Sequence, residues 1–185
     1  VALGGVYEIT KDPIARQEAQ AKAEAYEQVF TDAAAFEEVE MDDTLIQTTQ
    51  DQLDQEGYKA QSIEEVMRAE DQSGETLGYA FAVVTSEGYG GDIRFSMGVQ
   101  NDGTLNGISI LSIGETAGLG MNADTPAFKD QFVGKQVEKL QYTKNGATQD
   151  DEINAISGAT VTTNAMTNGV NAGLCAFRVM EGGDQ

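Results

Sequence analysis

Residues 154–163, Asn-Ala-Ile-Ser-Gly-Ala-Thr-Val-Thr-Thr, run directly into a segment with helical apolar spacing. Met166, Val170, Leu174, Phe177 and Met180 recur at steps of four, four, three and three, so they share one face of a helix. Residues 157–163 then form the lip of that helix's N-terminus. Unpaired backbone N–H groups and the positive end of the helix dipole make such a lip able to receive a phosphate without an added cation. Four hydroxyls, on Ser157, Thr160, Thr162 and Thr163, crowd the same spot. A Ser/Thr cluster before an apolar-periodic run is also the ordinary way to start a helix, with Thr162 or Thr163 as N-cap and Gly158 as a plain loop residue.

The 185 residues fit one domain with an N-terminal extension and suffice for a sizeable core. The formal charge of -20 is uneven, with 19 acids against 5 bases through Thr76 and 12 against 6 from Leu77 onward. That balance disfavours nucleic acid or an anionic lipid surface as a partner for a basic patch. Histidine is absent, which excludes a Ser-His or Cys-His nucleophile. Cys175 is the single cysteine, so there is neither an intrachain disulfide nor a thiolate cluster for zinc or iron–sulfur ligation, and the residue reads as a small buried core side chain. No run of about 18 apolar residues is present.

Asp12-Pro13 reads as a helix entry, and Ala15, Ala19, Ala23, Tyr26 and Phe30 form one stripe, which predicts an amphipathic helix over residues 13–30. Its small stripe buries little area per residue, so it is expected to lie across the domain rather than at its centre. Residues 32–56 are acidic and weakly patterned, with one strand expected over 36–39 and another around Leu45. Ser62-Ile63-Glu64-Glu65 has the form of a capping box opening a short helix through Ala69, and residues 71–76 read as a loop. Residues 77–85, 93–100 and 105–113 are apolar runs of strand length, the last two joined by the turn Asn101-Asp102-Gly103, and predict one antiparallel sheet. Gly88-Tyr89-Gly90-Gly91 is a turn by composition, and its glycines would let backbone approach a planar ligand closely. Residues 114–120 form a second Gly-rich loop that lacks dinucleotide-fingerprint spacing and opens no immediate helix. Thr125-Pro126 starts a short helix, residues 137–142 and 152–156 read as strands around the Lys144-Asn145-Gly146 turn, and Gly182-Gly183 ends the last helix.

Ser157-Gly158-Ala159-Thr160 followed by Val161-Thr162-Thr163-Asn164 resembles the flavinylation motif of the FMN-binding domain family. That family includes the G subunit of the Rnf ion-translocating ferredoxin:NAD oxidoreductase and the C subunit of the sodium-translocating NADH:quinone oxidoreductase. Gly114-Glu115-Thr116-Ala117-Gly118-Leu119-Gly120 resembles its second signature, Glu-Thr-Pro-Gly-Leu-Gly, with Ala117 in place of Pro. The two motifs lie about 40 residues apart in the family's order, which makes the pair far more specific than either alone. The segment 125–135 also has its counterpart, so the likeness covers roughly residues 77–180. Where the family pattern usually carries an acid, six positions before the modified Thr, this chain has Asn154.

The resemblance implies an α+β fold, an antiparallel sheet packed with helices. It implies FMN held covalently on Thr160 through a phosphoester bond installed by a separate flavin transferase with FAD as donor. Ser157, Gly158, Ala159, Val161, Thr162 and Thr163 would surround the phosphate, while Glu115, Thr116, Gly118, Leu119 and Tyr89 would lie against the flavin. The function implied is an electron-carrier subunit of a membrane-bound, ion-translocating oxidoreductase of the Rnf type, with the other subunits as partners. Residues 1–31 would be a membrane-proximal segment and helix, and 32–185 the FMN-binding domain. The apolar opening, Val1-Ala2-Leu3-Gly4-Gly5-Val6-Tyr7, reads as the end of a removed transmembrane anchor or as the merely apolar start of a matured protein. Family topology puts the domain on the extracytoplasmic side of the cell membrane. A different class of function is a non-redox, acidic ligand- or protein-binding module using the two Gly-rich loops.

Overall fold

A computed structural model describes residues 13–182. The Asp12 cap, the apolar opening residues and Gly183 lie outside the described residues. The order is α1 (Pro13–Val29), β1 (Ala35–Glu38), α2 (Asp43–Glu56), β2 (Gln61–Glu70), β3 (Thr76–Thr85), β4 (Ile93–Gln100), β5 (Leu105–Ser112), α3 (Pro126–Lys129), β6 (Gln141–Thr143), β7 (Glu152–Asn154) and α4 (Thr160–Gly182). Two 3₁₀ turns, Gly120–Asp124 and Asp130–Phe132, flank α3. Strands β1 to β5 form an antiparallel meander in sequence order, and β6 pairs with β7 apart from it. The fold is α+β.

Both faces of the sheet are covered. Phe81 and Val83 of β3 with Phe95, Met97 and Val99 of β4 face Met166, Val170, Leu174 and Phe177 of α4. The intervening Ala80 and Ala82 face Tyr26, Val29 and Phe30 at the end of α1. Burial on both sides is why residues 77–85 read as a nearly unbroken apolar run rather than an alternation. The α1 side is lined by small residues because the helix comes close: a methyl group on Gly98 would lie 2.6 Å from the Val29 carbonyl oxygen and 3.0 Å from the Phe30 ring. Only the last turns of α1 are buried, and Ala15, Ala19 and Ala23 of the expected stripe are exposed.

Two expected elements are corrected. The capping box at residues 62–65 opens no helix; it lies inside β2, which pairs with β3 and β1. A register shift between Ile63 and Glu65 inserts an extra residue, so Ile63 and Val66, three apart, both pack toward the α4 side. A bulge therefore imitates helical spacing. The strand expected around Leu45 is instead α2. Asp42 caps it by accepting the Leu45 N–H at 2.7 Å, and Gly57, at φ 93°, ends it. Gln47–Asp51, Gln50–Asp54 and Gln52–Glu56 hydrogen bonds lie along its surface, while Leu53 is fully buried.

The strands of the last third are shorter than expected, and they run parallel, in a register pairing Gln141 with Glu152. The connection 144–151 is short for a parallel pair. It is closed by side chains: Glu152 accepts the N–H groups of Thr148 and Gln149, and Asn154 accepts that of Ala147. Leu140, outside the strand, is held by α4, since the Asn171 amide bonds both its N–H (2.7 Å) and its carbonyl (2.9 Å) in a buried position.

Cys175 is buried between α4 and α2, beside Leu53, Tyr58 and Ala172. Burial, with the Glu56 carboxylate adding to it, pushes its thiol from about 9 up to about 11. The folded state therefore binds this proton more tightly than the unfolded chain, and the thiol's contribution to stability, complete below pH 9, is lost between about pH 9 and 11. Alkylation of Cys175 by iodoacetamide at pH 8 is expected to be negligible in the native protein and complete in denaturant, read by intact mass. Gly98→Ala is expected to cost about 1–3 kcal/mol through the clash with Val29, read as a lower urea midpoint.

Candidate functional site

Topology gathers three loops at one end of the sheet. Residues 86–92 connect β3 to β4, residues 113–119 leave β5, and residues 155–159 lead into α4. Because Arg94 pairs with Ser112, the first two loops leave the same end. The third arrives there because α4 lays Gly169 against Phe95 and Thr85, near that end, and Phe177 against Tyr79, near the other.

Glu115 lies between them. It is 8% exposed; its Oε1 accepts the Gly90 N–H at 2.8 Å and its Oε2 accepts the Thr162 hydroxyl at 2.5 Å. Glycines surround the carboxylate. A methyl on Gly88 would lie 2.9 Å from Oε1, and one on Gly120 would lie 2.6 Å from both Oε2 and Thr162 Oγ1. The 86–92 loop is tied down again at Glu87, whose Oε2 accepts from Gln61 Nε2 and from Asn168 Nδ2 of α4, each at 2.8 Å. Sequence reasoning does not single out Glu87 or Asn168, and it meets Gly120 only as the last residue of the second Gly-rich loop. Asn168 is one of several polar residues on α4, with Asn164, Thr167 and Asn171, so its spacing gives no signal that marks it.

The loop 114–120 turns at residues 116–119: the Leu119 N–H bonds the Thr116 carbonyl at 3.1 Å, with Gly118 at φ 74°. That is a type II turn, with Ala117 at the position where Pro is favoured and Gly118 where a positive φ is required. A 3₁₀ turn follows directly at Gly120, where the sequence predicts no immediate helix. Leu119 reaches the third loop, since a methyl on Gly158 would meet its Cδ2 at 3.1 Å; Gly158 itself has φ 72°.

The four hydroxyls separate into two pairs. Helix α4 begins at Thr160, so Thr162 and Thr163 are not caps but sit buried in its first turn. Thr162 donates to Glu115, while Thr163 donates to the Ala159 carbonyl at 2.8 Å and accepts the Ile156 N–H at 3.0 Å. Ser157 is exposed and Thr160 half-buried, and neither hydroxyl has a hydrogen-bond partner among the described residues. The first helical bond is made by the Thr163 N–H, which leaves the N–H groups of Thr160, Val161 and Thr162 without acceptors among the described residues. Ala159 is buried. Thr116 and Gly118 are exposed, and Tyr89, Leu119 and Val161 are large apolar side chains 77%, 43% and 52% exposed, one on each of the first two loops and one on the helix lip. Asn154 is exposed and away from this cluster, spent on closing the 144–151 connection. No group of His, Cys, Asp or Glu among the described residues is arranged to hold a metal ion.

The class so defined is an α+β domain with three loops gathered at the N-terminus of its longest helix. The FMN-binding domain family matches residues 88–174, which include the second and third loops and all but the first two residues of the 86–92 loop. The chain is 31% identical over 172 residues to the G subunit of the Na(+)-translocating ferredoxin:NAD(+) oxidoreductase complex of Acetobacterium woodii, covering 92% of this chain and 80% of that one. It is 28% identical over 177 residues to the G subunit of the ion-translocating oxidoreductase complex of Methanosarcina acetivorans, covering 95% and 85%. Among solved structures it is similar to the C subunit of the Na(+)-translocating NADH-quinone reductase of Parabacteroides distasonis, with a TM-score of 0.53 and 25% identity over 62% of this chain and 61% of that one. The fold is also that of NqrC from Shewanella oneidensis, with a TM-score of 0.52 at 21% identity, covering 62% and 58%. The chain belongs to the FMN-binding domain family.

The turn geometry makes Ala117→Pro a compatible substitution. It is expected to raise stability by about 0.4–1 kcal/mol, chiefly by restricting the unfolded chain, and to be read as a higher thermal midpoint.

Proposed function

We propose that the protein is an electron-carrier subunit of a membrane-bound, ion-translocating oxidoreductase of the Rnf type, carrying FMN through a phosphoester bond to Thr160. One observation carries the choice of residue. Of the four hydroxyls around the start of α4, Thr162 and Thr163 are buried and consumed by internal hydrogen bonds; of the two left free, Ser157 lies in the loop, whereas Thr160 is the first residue of the helix and one of the three whose N–H groups lack acceptors among the described residues. That donor set suits a phosphate. The relatives in Acetobacterium woodii and Methanosarcina acetivorans, each a subunit of such a complex, support the assembly.

When bound, FMN supplies the one- and two-electron chemistry. The chain's own residues hold and orient it. The N–H groups of Thr160, Val161 and Thr162 would take the phosphate oxygens, with Ser157, Gly158, Ala159 and Thr163 shaping the lip. Leu119 and Tyr89 would supply apolar contact for the ring, and Thr116 and Gly118 polar backbone and side-chain edges. Thr160 has no His or other base bonded to it, so it is an attachment point that a flavin transferase must activate. In that step the Thr160 Oγ–P bond forms as the phosphoanhydride of FAD breaks, the Thr proton leaves to the transferase, and AMP departs.

No helix among the described residues is long and apolar enough to cross a membrane. We further propose a membrane anchor before α1, with residues 1–31 as the membrane-proximal part and the domain from residue 32 on the extracytoplasmic side. Neighbouring subunits of the complex would receive and deliver the electrons.

The test is intact mass after production with an active flavin transferase. The native chain is expected to gain one FMN less one water, Ser157→Ala to gain the same, and Thr160→Ala to gain nothing. An unmodified native chain, beside a control substrate that is modified, would overturn the covalent carrier and favour the acidic binding module.

A further inference from the structure

Glu115 holds more than its place in a sequence pattern explains. A carboxylate with two acceptor oxygens and no donor faces two donors, the Gly90 N–H of the 86–92 loop and the Thr162 hydroxyl in the first turn of α4. No Lys or Arg among the described residues pairs with it, so its burial at 8% exposure is sustained by these bonds. A glutamine of the same size would offer one acceptor and one donor, and its NH₂ would force the Thr162 hydroxyl to turn away. The glycines at 88 and 120 leave the room the carboxylate occupies, and any side chain there would meet it at under 3 Å. Thr162 is in the first turn of α4, two residues beyond Thr160.

We infer that Glu115 is a positioning residue: its carboxylate locks the Tyr89 loop to the first turn of α4 and thereby holds Thr160 in the setting in which it is modified. The inference rests on the reading of Thr160 as the FMN acceptor. Without the brace, Thr163 still bonds Ala159 and Ile156 at the lip of α4, and the Tyr89 loop is still held by Ser86 to Ala60 and by Glu87 to Gln61 and Asn168. Asn168 is about two turns further along α4, so no hydrogen bond among the described residues would then tie the loop to the first turn itself, and the acceptor hydroxyl and the apolar rim would be presented together less firmly. Charge-assisted bonds of this kind are short and directional, which suits a brace between two loops that share no backbone pairing.

The experiment has two arms on the full chain. In the first, amide hydrogen exchange of the unmodified protein is compared for native, Glu115→Gln, Glu115→Ala and Thr162→Val, with Gly98→Ala as a variant destabilised on the opposite face of the sheet. Glu115→Ala is expected to accelerate exchange at Gly90 and at the bonded Thr163 N–H of α4 by at least tenfold while Phe95 and Met97 remain protected. In the second, the rate of FMN transfer from FAD by a purified flavin transferase is followed by intact mass. Glu115→Ala and Thr162→Val are expected to load at least tenfold more slowly, Glu115→Gln to fall between them and native, and Gly98→Ala to load at the native rate. Native loading by Glu115→Ala, or a loss that merely tracks stability across all variants including Gly98→Ala, would overturn the inference, as would unchanged exchange at Gly90. A native chain that takes up no FMN would overturn the flavin reading and, with it, the role toward Thr160; the exchange arm would still decide whether the carboxylate braces the two loops.

Discussion

The close seating of α4 on β3 and β4 is the contact on which the remaining structure depends. Gly169 and Gly173, one turn apart, leave room for Phe95 and Met97, two apart on β4, so helix and strand periodicities meet at two points. Interiors packed to crystal density do not slide, so this contact fixes both the height and the direction of the helix. With Phe177 beside Tyr79 at one end and Gly169 beside Thr85 and Phe95 toward the other, the helix must begin where the 86–92 loop turns. The site is thus located by core packing before any polar group is considered. The same face carries Met166, Val170 and Leu174, which supply the apolar area.

The two faces of the sheet do different work. Toward α4 the strands present large side chains and the helix presents glycines; toward α1 the strands present Gly98, Ala80 and Ala82 and the helix presents Tyr26, Val29 and Phe30. The large residues change sides, so α4 and the C-terminal part of α1 both come close to the sheet. Only the C-terminal part of α1 takes part in this; the exposed Ala15 and Ala19 show that its first turns are not held by the sheet. Polar contacts fasten its second half instead, with Tyr26 donating to Glu65 at 2.5 Å and Ser109 donating to Gln28 at 2.8 Å. Burial first, and then the Glu65 carboxylate, push the Tyr26 hydroxyl well above its usual range, which favours the protonated, donating form.

Strands β3 to β5 are legible in the sequence because they are apolar runs of strand length bounded by turn residues, and helix α4 because its apolar residues keep one helical period from Met166 to Met180. Segments 42–70 are misread for opposite reasons. In α2 the apolar stripe is reduced to Thr49 and Leu53, so the helix is marked by its caps, Asp42 and Gly57, rather than by periodicity. In β2 the bulge converts a period of two into a step of three beside an accidental Ser-x-x-Glu, and the strand's partners, which settle the matter, are remote in sequence. At the site, the family resemblance points to Thr160 and Glu115, but which hydroxyls are spent internally cannot be read from residue types. Thr162 and Thr163 differ from Thr160 only in which way the first turn of α4 faces, and that direction is set by where Phe95 and Met97 sit.

Polar groups at the site therefore fall into two sets with opposite requirements. Glu87, Glu115, Thr162, Thr163 and Asn168 are tied to partners, as groups removed from water must be. Thr160 Oγ and the N–H groups of residues 160–162 lack partners among the described residues, and the apolar side chains of Tyr89, Leu119 and Val161 stay largely exposed on the surface of the same loops and helix lip. A fold gains nothing by leaving three such side chains in water next to three open N–H groups. The internal set makes the frame rigid, and rigidity is what allows the outer set to stay open: a looser lip would turn its N–H groups onto nearby carbonyls, or fold its apolar residues inward. A ligand with an anionic end and a flat apolar end satisfies both kinds of open group at once, which is the physical reason that phosphate attachment and flavin contact belong to a single site.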